Sequence, residues 1–309
     1  MAKQSSSDSS GASPHNPKGG ATQPTRTPLY QANHDARYQR QTLIKKINSE
    51  TNRSLICYVS GGGDQCMIDG EDIVPFVDLL HNVPEGQSLD LLLHTTGGSI
   101  DAAEKLMGML RNHVRTAELR IIVPDFAKSA GTLMVLGADS VIMSSMSELG
   151  PIDPQEPLFG RWQSVQNYVD AYKTYEEALQ TNPNNMAARI MIGKLDPTTM
   201  KYCEAAMNRS RQAAEDLLKR GMFRNGGNWT QTVSELLDTQ RWRSHNQVIT
   251  WEDARDPHLG LAVEYLEYHS EEWQDYWRVY CLQKLAVGRQ QKLYESDYAS
   301  LIIGPPGGD

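Results

Sequence analysis

Apolar positions along the first half of the chain fall into short runs separated by amphipathic stretches. Residues 54–60 (SLICYVS), 89–94 (LDLLLH), 119–123 (LRIIV) and 140–143 (SVIM) read as strands. The near-continuous apolar character of the second suits a parallel sheet covered on both faces. Between them lie helical patterns at 35–48, 72–81, 99–113 and 129–136. The first turn of the second tolerates Pro75, and the third repeats Ile100, Ala103, Leu106, Met107 and Leu110 on one face. Strands alternating with helices at this interval predict βαβ units and a mostly parallel sheet. After Pro151 the pattern turns helical, at 162–180, 197–221, 230–239 and 271–293, with a short helix at 251–255 that Thr250 would cap. No internal repeat is visible.

Residues 1–34 lack periodic apolar positions and are rich in Ser, Gly, Pro, Gln and Thr. They are read as a disordered tail. The organisation expected is this tail, a core domain over 35–266 and a helical extension over 267–309. The net charge of −8 argues against a nucleic-acid binder working through a general basic field. No apolar run approaches the ~18–20 residues of a membrane span, and the opening residues lack the apolar core of a secretory signal. The four cysteines, Cys57, Cys66, Cys203 and Cys281, form no Cys-x-x-Cys pair, which favours reduced thiols over disulfides or zinc. No phosphate loop or metal-ligand spacing appears. A cytoplasmic protein without metal or cofactor is expected. The aromatic run Tyr265, Tyr268, Trp273, Tyr276, Trp277 and Tyr280 has near-helical spacing and reads as core packing or a partner surface.

Two strand-to-helix turns carry candidate chemistry. His94-Thr95-Thr96-Gly97-Gly98-Ser99 could aim glycine amides at a developing negative charge. Taken alone it is a tight turn. Ala127-Lys128-Ser129-Ala130-Gly131-Thr132 could present a serine hydroxyl at the carboxyl edge of the sheet. Taken alone, Ser129 caps a helix. Together, consecutive turns at one sheet edge offer a nucleophile beside two N–H groups, the arrangement acyl transfer requires.

HTTGGSIDAAEKL, AKSAGTLMVLGADSVIMSSMSELGPIDPQ and, later, QRWRSHNQVITWEDAR before Gly260-Leu261 resemble the serine dehydrogenase proteinase family. That family belongs to the Clp protease and crotonase fold and is related to signal peptide peptidase A. The resemblance covers about residues 37–266. It implies an α/β fold, a Clp/crotonase-like spiral of ββα units with a mostly parallel sheet, followed by a helical C-terminal region. It also implies a serine peptidase with Ser129 as nucleophile and the Gly98 and Ala130 amides as oxyanion hole. Gly97, Ser99, Glu148 and Gly150 would line the substrate site.

The base is less direct. Clp-type proteases place a histidine after the strand that follows the nucleophile helix, whereas Met143-Ser144-Ser145-Met146 holds none. Signal peptide peptidase relatives use a downstream lysine, and Lys173 stands at the matching separation. Lys173 is therefore the expected base, with Lys194 and His245 as the other candidates. Their plain readings are solvated lysines and a packed histidine. Glu148 and Asp153 could orient a base or bind a substrate amine, or merely serve the turns around Pro151 and Pro154. The resemblance also implies a peptide or protein substrate, a homo-oligomer and, since no ATPase module is present, a separate unfoldase or adaptor. Rival readings are a crotonase-like acyl-CoA enzyme and a non-catalytic peptide-binding scaffold.

Overall fold

The computed structural model describes residues 27–304 except residue 159. The chain divides into two units, residues 1–35 and 36–309. Of the first, the described part is a short helix, α1 (Pro28–Asn33). The rest of the expected tail lies outside the described residues.

The second unit takes in all but the first residue of α2 (Asp35–Thr51), which leads into β1 (Ser54–Ser60), α3 (Ile73–Leu80), β2 (Leu89–His94) and α4 (Ile100–Val114). Then come β3 (Leu119–Ile122), the two-residue β4 (Phe126–Ala127), α5 (Ala130–Leu136), β5 (Ser140–Met143) and β6 (Glu148–Leu149). A hairpin, β7 (Gln155–Leu158) and β8 (Arg161–Ser164), opens a helical stretch of α6 (Val165–Thr181), α7 (Met186–Ile192), α8 (Pro197–Arg220) and α9 (Trp229–Leu236). The chain closes with α10 (Trp251–Arg255), β9 (Val263–Tyr265), α11 (Glu271–Ala286), β10 (Lys292–Glu295) and β11 (Ser300–Ile303).

The main sheet has seven strands in the order β11-β10-β1-β2-β3-β5-β9. The run from β1 to β9 is parallel, with Tyr58 opposite Leu93 and Ile121 opposite Val141, while β10 and β11 add on antiparallel. Every residue of β2 is buried, as its apolar run requires. Leu91 and Leu93 face a core shared with Phe76, Leu106, Met107, Leu133 and Leu217, from α3, α4, α5 and α8. Leu92 faces the other way, against Ile44 of α2 and Trp273, Tyr276 and Tyr280 of α11. The aromatic spacing in the terminal helix therefore serves core packing. A smaller cluster, Val165, Tyr168, Val169, Met200 and Cys203, holds α6 to α8 apart from the sheet. No helix among the described residues is long and apolar enough to cross a membrane.

Three expectations need correction. Trp162 and Gln163 belong to β8 rather than to the helix after it, because Gly160, at φ +79°, turns the chain into a hairpin. The terminal helix stops at Ala286, and residues 292–295 become β10, buried along their length beside β1. The C-terminal region thus contributes two strands as well as a helix. The helix α7 had no counterpart in the sequence reading.

Candidate active site

Both glycine-bearing turns lie at the carboxyl edge of the parallel sheet, and hydrogen bonds join them. The Thr95 N–H donates to the Phe126 carbonyl at 3.1 Å, and the Lys128 N–H donates to the Thr95 carbonyl at 3.0 Å. A Cβ on Gly97 would lie 2.7 Å from Ser129 Cβ, so the absence of a side chain there lets the turns touch. Gly97 and Gly98 have φ of +104° and +146°, open to glycine and costly for other residues.

The Gly97-Gly98 turn is braced from outside. The Ile68 N–H donates to the Gly97 carbonyl, and the Ser99 N–H donates to the Ile68 carbonyl, both at 2.8 Å. This bridge passes over Gly98 and leaves its own N–H out of the pairing. The Ser99 hydroxyl accepts from the Ala102 N–H and caps α4.

Ser129 departs from the capping reading. Its backbone sits at φ 51°, ψ −115°, a region that a residue with a Cβ enters only under strain of about 1–3 kcal/mol. Its side chain makes no cap hydrogen bond to α5, and its hydroxyl has no partner among the described residues. The Ser129 side chain is half-buried. Ala130 is the first residue of α5, so its N–H has no intrahelical acceptor. The site therefore holds a free hydroxyl beside two undersatisfied amides.

The third wall comes from β6 and the loop after it. Thr132, fully buried in α5, bonds to the Ala127 and Gly150 carbonyls at 2.8 and 2.9 Å and accepts from the Gly150 N–H at 3.1 Å. Lys128 turns away from the serine, donating to the Leu149 carbonyl and pairing with Glu148, both at 2.9 Å. That ion pair occupies Glu148. Leu149 exchanges two backbone hydrogen bonds with Ile249, which draws the segment around residue 245 to this wall. There His245 Nδ1 lies 2.8 Å from Asp153 Oδ1. Asp153 is buried and also accepts from Gln155, while the His245 side chain is 21% exposed.

A family model, described as ClpP-like SDH-type serine proteinase, matches residues 65–267. The chain belongs to this family. Two uncharacterized proteins of Methanocaldococcus jannaschii are similar to it. One is 31% identical over 63% of this chain and 59% of its own length, the other 38% identical over 28% of each. The chain thus spans less than two thirds of the curated relatives it matches. Among solved structures, a mutant of the 1510-N membrane-bound stomatin-specific protease aligns at 16% identity and TM-score 0.38, over 63% of this chain and 70% of that one. A second mutant, in complex with a substrate peptide, aligns at 13% identity and TM-score 0.28, over 70% and 94%.

The structure of this ClpP-like SDH-type chain brings Gly97, Gly98, Ser129, Ala130, Glu148 and Gly150 into one linked set. Lys173 stands apart, exposed on α6 and without a hydrogen bond or ion pair among the described residues. Lys194 is exposed beyond the end of α7. The pairing of Asp153 with His245 escaped the sequence reading, which held both residues singly. They are 92 positions apart, and the Leu149–Ile249 bridge, with the Ile152 N–H donating to the Leu236 carbonyl at 3.1 Å, brings their segments together.

Proposed function

We propose that the protein is a serine peptidase in which Ser129 attacks the peptide carbonyl and the Gly98 and Ala130 amides hold the tetrahedral oxyanion. The observation that carries this reading is the Ser129 hydroxyl, held in a strained strand-to-helix turn and released from capping. A crotonase-like acyl-CoA enzyme would use the same amides but has no need of that hydroxyl.

The base proposed is His245. An imidazole serves as base when its other nitrogen is oriented by an acceptor, and the buried Asp153 carboxylate supplies one at 2.8 Å. Nδ1 then carries the proton, leaving Nε2 to accept from Ser129 in the substrate complex and return the proton to the leaving amine. Water completes the cycle by hydrolysing the acyl-enzyme. Lys173 is exposed on α6 and makes no hydrogen bond among the described residues that would orient it as a base. The substrate class is a peptide or an unfolded protein segment. A homo-oligomer and a separate unfoldase or adaptor complete the proposal by analogy with the fold.

Labelling with a fluorophosphonate probe, mapped by mass spectrometry, tests the reading. The adduct is expected on Ser129 and absent from Ser129→Ala. His245→Ala should slow labelling about a hundredfold or more, with Lys173→Met close to wild type. The reverse ranking would return the base to Lys173, and no adduct on the wild-type protein would favour the binding scaffold.

A further inference from the structure

On the face of the sheet away from α5, the same carboxyl edge carries ionisable groups that the proposed chemistry leaves unused. His94, the last residue of β2, is fully buried. Its Nε2 lies 2.8 Å from Lys284 Nζ of α11, which also approaches the Ser60 carbonyl at 3.4 Å. Its Nδ1 faces the Tyr280 hydroxyl at 3.4 Å and Asp125 Oδ2 at 3.7 Å. The Tyr280 hydroxyl donates to the same carboxylate at 2.7 Å. Phe126 covers the imidazole with ring centroids 4.1 Å apart.

These contacts have a direction. An ammonium has donors and no acceptor, so the nitrogen facing Lys284 accepts and the proton of the neutral ring sits on Nδ1. Tyr280 can then accept from His94 while donating to Asp125. Burial and the neighbouring Lys284 charge push the His94 pKa down to about 3, which keeps the ring neutral. Two members of this chain are the roots of the two turns. His94 precedes Thr95, and Asp125 precedes Phe126, with its backbone carbonyl accepting from the Glu148 N–H at 2.7 Å.

We propose that Lys284 is a positioning residue for the paired turns, holding His94 as its Nδ1–H tautomer and, through Tyr280 and Asp125, setting the spacing between the Gly98 amide and Ser129. Its catalytic consequence rests on the serine-peptidase reading; its structural consequence does not.

Lys284→Met keeps the aliphatic stem and removes the donor. In ¹⁵N-histidine-labelled full-length protein, wild-type His94 should show a protonated Nδ1 and a bare Nε2. The variant, without a donor at Nε2, should lose this single preference and show both neutral tautomers. Amide exchange over residues 95–99 and 126–131 should accelerate together in the variant. Fluorophosphonate labelling of Ser129 should slow about tenfold to a hundredfold, the range that small misplacements cost. A wild-type ring protonated on Nε2, or a variant with unchanged tautomer and exchange, overturns the proposal. Wild-type protein that never labels defeats the peptidase reading instead, and the spectra and exchange still decide the positioning role. Should Lys284→Met fail to fold, Tyr280→Phe takes its place. It should speed exchange at 126–131 while His94 stays protonated on Nδ1, and unchanged exchange there overturns the proposal.

Discussion

A Cβ built on Gly98 would sit 2.3 Å from the Ile68 carbonyl oxygen and 2.5 Å from its nitrogen, so substitution there must displace backbone. Gly86, also at positive φ, has nothing within 4 Å. Gly86→Ala should therefore cost about 1 kcal/mol from its dihedral alone. Gly98→Ala should cost clearly more and abolish Ser129 labelling, with stability read from urea midpoints at constant m. The two turns were legible in the sequence as a pair, because each follows an apolar run and opens a helix at the same edge of the sheet. The role of Ile68 was not, since nothing local ties residue 68 to residue 98. Ser129 shows the same divide. Its type and place suit a cap as well as a nucleophile, and only the dihedrals of the folded turn separate the two.

Among the elements, α5 joins the Ser129 turn to the β6 loop through the side chain of Thr132. Thr132 is buried and bonded to Ala127 and Gly150. Thr132→Val preserves shape but leaves the Gly150 N–H without its partner, a loss of about 1–3 kcal/mol. Thermal or chemical denaturation should show that loss, and slower probe labelling should accompany it, because Gly150 leads into Asp153. β1, β2, β3 and β5 were readable because each is an apolar run between polar turns. The hairpin β7–β8 was not, because Gln155, Glu156, Arg161 and Trp162 carry no alternation and the pairing depends on the turn at Gly160. β10 was hidden in a stretch of helix-forming residues, Gln290 to Tyr294, and becomes a strand because β1 offers a free edge there.

At the scale of the whole molecule, burial makes stability depend on pH. The folded pKa of His94 lies near 3, below the value of about 6.5 it would have unfolded. As pH falls through this window the unfolded chain binds a proton that the folded chain refuses, so stability falls with it. Denaturation at about pH 7.5 and pH 4.5 should show this loss, and His94→Gln should be less stable at the higher pH but lose less on acidification. The sequence by itself determined the alternating α/β order, the parallel character of the central strands and the two turns that carry Gly97, Gly98 and Ser129. Those features depend on local periodicity and on residue types that tolerate unusual backbone. The tertiary structure alone decided which distant groups meet: Ile68 over Gly98, Asp153 against His245, and Lys284 against His94. Each pair is joined by sheet order and strand register, long-range properties that no window of residues contains.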